Sequence, residues 1–207
     1  EYVVHEFSRH GITDIIFAVG YKGSMVEEYF GDGSRFTAPD QTPIKIQYAY
    51  EKELLGTAGA IKNAGKLVTE DAFYVLNADT FYQIDYSRLA QMQAEKDLDL
   101  ALVLREVPDI SRYGEATLDQ GMLTGFNEKT SEARPGTING GIYYMKRELL
   151  DEIPEGKVSL ENEMIPKWLG EKRRLGGFVH DGYFIDIGIP EAYYQFMDDV
   201  EKGVIRW

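Results

Sequence analysis

The alternation of helical and strand-like segments along the chain is the feature that most restricts its fold. Ile12–Val19 and Ala72–Leu76 are nearly unbroken apolar runs, the pattern of strands that are buried on both faces of a sheet. Segments with helical spacing lie between and after such runs, as at Thr57–Leu67 and Ser87–Lys96. Because this alternation favours right-handed crossovers between parallel strands, the sequence predicts an α/β fold with a doubly wound, mostly parallel open sheet, Rossmann-like in type.

The second half of the chain departs from this pattern and predicts a small antiparallel extension. Gly114–Leu118 and Leu123–Glu128 resemble short strands, and the turn 119–121 separates them. We therefore expect a hairpin beside the main sheet, then a strand at Gly140–Met145 and a closing helix from Glu191. No repeat or linker interrupts the 207 residues, so 1–207 are predicted to form a single domain.

The acidic composition without cysteine limits the classes of partner. Lysine and arginine number 22 against 35 Asp and Glu, a formal net charge of −13, which argues against broad binding to nucleic acid or anionic membranes. The absence of cysteine excludes a disulfide scaffold and thiol chemistry. No apolar run has membrane-spanning length, and Glu1–His10 resembles an amphipathic helix more than a signal peptide. We expect a cytoplasmic protein, and a homodimer is compatible with the sequence.

Two acids follow predicted strands at positions that suit a metal. Asp79 lies three residues after the strand-like run Ala72–Leu76. Asp186 lies between another strand-like segment and the helix that begins near Pro190. Open α/β sheets bind ligands at the carboxyl ends of their strands, and Mg²⁺ is satisfied by one or two carboxylates with phosphate oxygens and water. Each acid is equally compatible with a local turn or capping role.

Small residues at 54–60 join a predicted strand to a predicted helix. Gly56, Thr57 and Ala58 would let backbone groups approach a planar base or a phosphate closely. The segment lacks the Gly-Lys-Ser/Thr ending of a Walker loop, and close packing of the helix would select the same residue types.

Three further segments combine polar groups with close backbone approach or with charge. At the end of the predicted hairpin, Lys129 could neutralise a phosphate while Glu128 accepts hydroxyl protons, although exposed pairs of this kind are common and weak. Residues 112–114 and 139–141 place polar donors beside glycines, which suits either a ligand or a simple turn.

The order of these segments resembles the sugar-1-phosphate nucleotidylyltransferase family over the whole chain. Within that family the sequence is most similar to D-glycero-α-D-manno-heptose 1-phosphate guanylyltransferases, followed by enzymes that act on mannose or glucose 1-phosphate. The matching motifs are Leu-Gly-Thr-Ala-Gly-Ala at 55–60, Asn-Ala-Asp at 77–79, Arg-Tyr-Gly at 112–114, Phe-Asn-Glu-Lys at 126–129, Asn-Gly-Gly-Ile-Tyr at 139–143 and Phe-Ile-Asp-Ile-Gly at 184–188.

The resemblance implies a GT-A-type nucleotidyltransferase that uses an NTP, with GTP expected, and a heptose-type or mannose-type sugar 1-phosphate. Asp79 and Asp186 would hold Mg²⁺ and, with Lys129, form the catalytic set. Substrate binding is implied for Leu55, Gly56, Thr57, Ala58, Tyr113, Gly114, Glu128, Asn139 and Gly140.

The front of the chain departs from the family pattern. The resemblance implies a first strand and a Gly-Gly-x-Gly-Thr-Arg-Leu phosphate loop ahead of Glu1, and the 207 residues contain neither. We therefore expect the 207 residues to be part of a longer protein. The sheet should then have an unfilled strand position beside Ile15–Val19 or beside the strand that ends at Asp79.

Two other functions share part of this pattern. A glycosyltransferase that uses a nucleotide-sugar would have a similar sheet and metal, but it typically carries an Asp-x-Asp pair, and 77–79 provides one acid. A non-catalytic module that binds sugar nucleotides for regulation is the alternative from another class, favoured by the absent phosphate loop.

Overall fold

In the computed structural model, which describes residues 1–111, 113–127 and 133–205, helices and strands alternate through the first half of the chain as predicted. The elements of this half are α1 (Tyr2–Arg9), β1 (Asp14–Val19), α2 (Gly23–Phe30), β2 (Lys45–Tyr50), α3 (Gly56–Gly65), β3 (Ala72–Leu76), β4 (Thr80–Tyr82) and α4 (Tyr86–Lys96).

The second half carries more strands, as the change in pattern predicted. Its strands are β5 (Leu100–Val107), β6 (Glu115–Asp119), β7 (Met122–Asn127), β8 (Gly136–Lys146), β9 (Leu175–Val179) and β10 (Phe184–Asp186). Its helices are a 3₁₀ helix at Arg147–Glu152, a π-helical turn at Leu160–Met164 that continues into α5 (Ile165–Gly170), and α6 (Pro190–Glu201).

The main sheet has six strands in the order β3-β8-β5-β9-β7-β6. β8 is antiparallel to both β3 and β5, β9 is parallel to β5, and β7 is antiparallel to β9 and β6. β3, β5, β9 and β6 therefore run in one direction, and only β7 and β8 oppose them. The predicted α/β class with an antiparallel β6–β7 extension is confirmed. The sheet is mostly parallel in that four of its six strands share one direction, while β5–β9 is the one parallel pair of neighbours among its described strands.

Helices cover both faces of this sheet because its central strand is apolar on both sides. Along β5, Leu100, Leu102 and Leu104 face a core formed with α3 and α5, whereas Ala101 and Val103 face a core formed with α1 and α4. All five side chains are fully buried. An uninterrupted apolar strand is thus the sequence signature of the doubly covered centre.

Two smaller strand pairs lie outside the six-stranded sheet. β1 and β2 pair in parallel, and β4 pairs with β10 in antiparallel orientation. Within the described residues β1 pairs only with β2, and β3 only with β8, so each has one edge without a strand neighbour. The additional strand expected at the front of the chain remains a prediction. In the described ranges every helix is too short or too polar to cross a lipid bilayer.

Candidate active site

The predicted site residues Asn139 and Gly140 lie where β3 and β5 approach the middle of β8. Leu76, the last residue of β3, pairs with Ile142, and the Asn77 N–H donates to the Gly141 carbonyl at 3.0 Å. On the other side of β8, Leu104 of β5 pairs with Asn139. Because β8 runs against its neighbours, its segment 139–141 is placed at the edge where β3 ends.

Asp79 and Asp186 are brought together by the β4–β10 pair. Asp186 pairs with Thr80, and the Ile187 N–H donates to the Asp79 carbonyl at 2.8 Å. A Cβ atom added to Gly188 would lie 3.0 Å from Asp186 Oδ1 and 3.6 Å from Asp79 Oδ2. The two carboxylate oxygens are therefore no farther apart than the sum of these distances, and they converge on the space that Gly188 leaves open.

The donor set at this point fits a hard divalent cation. Mg²⁺ is commonly held by one or two carboxylates, with phosphate oxygens and water completing its octahedral shell. Among the described residues there is no group of three or more acids or histidines that would form an all-protein cage. One Asp186 oxygen accepts from the Gly188 N–H at 2.9 Å, so the local turn role considered for this acid is present as well.

The start of α3 is packed tightly against the segment before the π-helical turn. Gly56 has φ +69°, and a Cβ there would lie 2.6 Å from the Val158 carbonyl oxygen. That oxygen accepts from the N–H groups of Ala58 and Gly59 at 3.0 and 3.3 Å, and the Val158 N–H donates to the Leu55 carbonyl at 2.8 Å. Close packing is therefore sufficient to explain the small residues of this loop, and it holds the loop in one conformation.

Thr57 is tied to the same segment through its hydroxyl. Thr57 Oγ1 accepts from the Leu160 N–H at 2.7 Å and donates to Glu161 Oε2 at 2.7 Å. The other Glu161 oxygen accepts from the Tyr143 hydroxyl at 2.9 Å, and this hydroxyl accepts from Asn139 Nδ2 at 2.5 Å. Burial and the Glu161 carboxylate raise the pKa of Tyr143 well above its ordinary value, so this side chain stays protonated.

The glycines beside Asn139 are required by close contacts. A Cβ on Gly140 would lie 2.7 Å from Tyr82 Cε1, and Gly141 has φ +72° with the Asn77 side chain 3.0 Å from its missing Cβ. The Gly141 N–H donates to Asn139 Oδ1 at 3.1 Å. These contacts fix the plane of the Asn139 amide at the end of β3.

Tyr113 and Gly114 lie at the entry to β6. The Tyr113 N–H donates to the Ile110 carbonyl at 2.9 Å, and a Cβ on Gly114 would lie 3.0 Å from the Asn127 carbonyl oxygen. The next residue, Glu115, pairs with both Asn127 and Ile138, so Gly114 lies near the part of β8 that carries Asn139. Two further predicted residues, Glu128 and Lys129, lie outside the described part of the chain.

Sequence reasoning missed Glu161, and it named Tyr143 only as the last residue of the 139–143 motif. Tyr143 is fully buried, and its hydroxyl contacts Glu161 at the site. Glu161 lies in the first turn of a helix, where an acid is favourable for the helix dipole alone. Nothing in its local sequence indicates that it contacts Thr57, which is distant along the chain.

Comparisons with known proteins identify related sequences and folds. A family model described as "Nucleotidyl transferase" matches residues 1–203. D-glycero-α-D-manno-heptose 1-phosphate guanylyltransferase from Campylobacter jejuni is 37% identical over 199 residues, which cover 95% of this chain and 83% of the relative. The enzyme of the same name from Aneurinibacillus thermoaerophilus is 33% identical over 98% of this chain and 85% of its own length.

A solved structure matches at the level of the whole fold. The crystal structure of HddC from Yersinia pseudotuberculosis complexed with GMP-PN has a TM-score of 0.82 and 30% identity, covering 96% of this chain and 84% of HddC. The family model spans nearly the whole chain, and both relatives are matched over most of their own length. The chain therefore belongs to the nucleotidyl transferase family.

Proposed function

We propose that this protein transfers a nucleoside monophosphate from an NTP, GTP in our expectation, to a heptose-type or mannose-type sugar 1-phosphate, giving an NDP-sugar and pyrophosphate. The observation that carries the proposal is the convergence of the Asp79 and Asp186 carboxylates on Gly188, at the edge where β3 ends. The names of the guanylyltransferase relatives and the nucleotide ligand of HddC support the choice of substrates.

In the proposed reaction a sugar phosphate oxygen attacks the α-phosphorus of the NTP in line. The bond from the α-phosphorus to the bridging oxygen breaks, and pyrophosphate leaves with the electron pair. No covalent intermediate with the protein is required, so positioning and charge neutralisation carry the catalysis.

Each group of the chain has one role in this scheme. Asp79 and Asp186 would hold Mg²⁺, which when bound neutralises charge on the phosphates. Lys129 would contact the sugar phosphate and Glu128 a sugar hydroxyl, so that local cations and the metal offset the acidic character of the protein. Leu55, Gly56, Thr57 and Ala58 would border the nucleobase, and Tyr113, Gly114, Asn139 and Gly140 the sugar.

We further propose that the nucleotide-sugar product serves polysaccharide synthesis and that the reaction takes place in the cytoplasm. Pyrophosphate release by the product of the full open reading frame, with GTP, Mg²⁺ and each candidate sugar 1-phosphate, tests the proposal. We expect release that depends on both substrates and stops with a chelator. Binding of a nucleotide-sugar without any release would instead favour the non-catalytic regulatory module.

A further inference from the structure

A continuous set of hydrogen bonds joins the proposed nucleobase loop to the proposed sugar pocket. It runs from Thr57 through Glu161 and Tyr143 to Asn139, with links of 2.7, 2.9 and 2.5 Å. Thr57 lies at the start of α3 and Asn139 lies in β8. The central member, Tyr143, has no exposed surface.

The proton positions in this set are determined by chemistry. Tyr143 has one hydroxyl proton, which points to the Glu161 carboxylate, so its oxygen must accept from Asn139 Nδ2. Asn139 Oδ1 is then oriented to accept from the Gly141 N–H at 3.1 Å. The orientation of the Asn139 amide is therefore set by its contact with Tyr143 as well as by its own strand.

The other end of the set is equally constrained. Glu161 Oε2 accepts from Thr57 Oγ1 at 2.7 Å and, more distantly, from Ser159 Oγ at 3.4 Å. Thr57 Oγ1 also accepts from the Leu160 N–H, so its proton is committed to Glu161. A ligand that contacts Thr57 therefore alters a donor to the carboxylate on which Tyr143 depends. Hydrogen bonds to a buried or half-buried carboxylate are stronger than neutral ones, and the members of such a set polarise one another.

From this arrangement we infer that Tyr143 and Glu161 are positioning residues that couple occupancy of the nucleotide subsite at Thr57 to the orientation of the Asn139 amide at the sugar 1-phosphate subsite. The inference rests on the proposed function, because it assigns the two ends of the set to the two substrates. By linkage, the nucleotide and the sugar phosphate should each raise the affinity of the other by the same factor.

The test measures binding of a non-hydrolysable GTP analogue by calorimetry, with and without the sugar 1-phosphate that supports pyrophosphate release. For the wild-type protein we expect the sugar phosphate to tighten nucleotide binding by a factor on the order of ten. Tyr143→Phe keeps the ring but removes both hydrogen bonds, so this factor should fall to about one while each ligand alone still binds. Glu161→Gln should lower this factor only in part. One carboxylate oxygen becomes an amide NH2 group, which would face a hydroxyl, of Thr57 or Tyr143, that donates to Glu161 in the wild type.

Tyr144→Phe is the matched control. Tyr144 is the next residue of β8 and packs on the opposite face against Tyr74, and its hydroxyl has no hydrogen bond among the described residues. The Tyr144→Phe variant should show the same increase in nucleotide affinity as the wild type when the sugar 1-phosphate is present.

Two outcomes would overturn the inference while leaving the proposed function intact. One is an increase in nucleotide affinity in Tyr143→Phe equal to that of the wild type, and the other is a wild-type protein that binds both ligands without any such increase. If wild-type protein neither binds the nucleotide nor releases pyrophosphate, the proposed function fails and the inference with it. A Tyr143→Phe protein that does not fold leaves Glu161→Gln to decide.

Discussion

At the scale of single residues, the two carboxylate oxygens of Asp186 have different roles: one accepts a hydrogen bond within a turn, and the other is available to a ligand. Oδ1 is used by the Gly188 N–H at 2.9 Å, which holds the side chain in its own turn. Among the described residues, Oδ2 of Asp186 and the Asp79 carboxylate have no hydrogen-bond donor. Each acid thus keeps an oxygen atom that accepts no hydrogen bond from the described residues, and that of Asp79, Oδ2, lies beside Gly188 on the same side as Asp186 Oδ1. A shared cation would need such free oxygen atoms.

Asp186→Asn should separate these two tasks. The amide oxygen can still accept from the Gly188 N–H, so the melting temperature should stay within about 4 °C of wild type. The missing charge should lower pyrophosphate release by about 100-fold or more and raise the Mg²⁺ concentration needed for half-maximal activity. Asp181→Asn, in the turn before β10, is the control and should retain activity. Equal activity of the Asp186 variant at low Mg²⁺ would remove this acid from the metal site.

Lys129 gives a second prediction at this scale, derived from its motif alone. Lys129→Ala should raise the KM for the sugar 1-phosphate on the order of tenfold or more, because a charge-assisted contact to one substrate is lost. The KM for the NTP should change far less. Lys45→Ala is a suitable control, since Lys45 starts β2 and pairs with the exposed Asp14. Parallel increases in both KM values would indicate that Lys129 is an ordinary surface residue.

At the scale of elements, the start of α3 is held by backbone contacts that only glycine permits. Gly56→Ala would force a side chain into a φ of +69° and against the Val158 carbonyl oxygen at 2.6 Å. Strain and overlap together should lower the free energy of unfolding by about 2–5 kcal/mol, measured by urea denaturation.

Gly156→Ala is the control for Gly56→Ala. Gly156 also has a positive φ, +97°, but a Cβ there would meet nothing within 4 Å. Its substitution should cost only the backbone strain, about 1–3 kcal/mol. If both variants were destabilised equally, close packing at Val158 would not be the reason for glycine at position 56.

The elements also show which parts of the fold local sequence predicts. The strands β1 and β3 were predicted because each is a nearly unbroken apolar run, although the structure buries both of them only in part. β4 was not, since three residues are too few to show a period. Its pairing with β10 nevertheless brings Asp79 to Asp186, so the contact that matters most at the candidate site depends on an element without a local signal.

At the scale of the whole molecule, the net charge of −13 makes the response to acid a sum of opposing effects. Protonation relieves repulsion between carboxylates, but it also breaks specific ion pairs. Arg134 donates two hydrogen bonds of 2.8 Å to Glu115 and lowers the pKa of that carboxyl below its ordinary 4.5. A lowered folded-state pKa gives stability that is complete above pH 4.5 and is lost as the pH falls through the folded value.

Comparison of wild type with Glu115→Gln isolates this pair from the global charge. The wild type should melt at a higher temperature than the variant, by a difference that is constant at neutral and weakly acidic pH. The difference should shrink as the pH falls below 4.5, and thermal melts across the acid range measure it. A difference that persists at about pH 3 would assign the effect to packing of the side chain and not to its charge.

The order of motifs was enough to predict the family and to name Asp79 and Asp186 as a pair. The side-chain hydrogen bonds that join one motif to another could not be predicted from it. Asn139 and Thr57 were named from separate segments as candidates, whereas Tyr143 and Glu161 join them through side chains whose local sequence is typical of a core strand and a helix start. Such contacts depend on how β8 lies beside α3, and that placement is a property of the assembled fold.

The β4–β10 pair has a consequence for the order in which the protein folds. Its two strands are separated in sequence by β5 to β9, so their contact closes a long loop and should form late, after the local helices and the β6–β7 hairpin. A ribosome must therefore release most of the chain before Asp186 can reach Asp79. The proposed cation site should therefore be among the last parts of a newly made molecule to form.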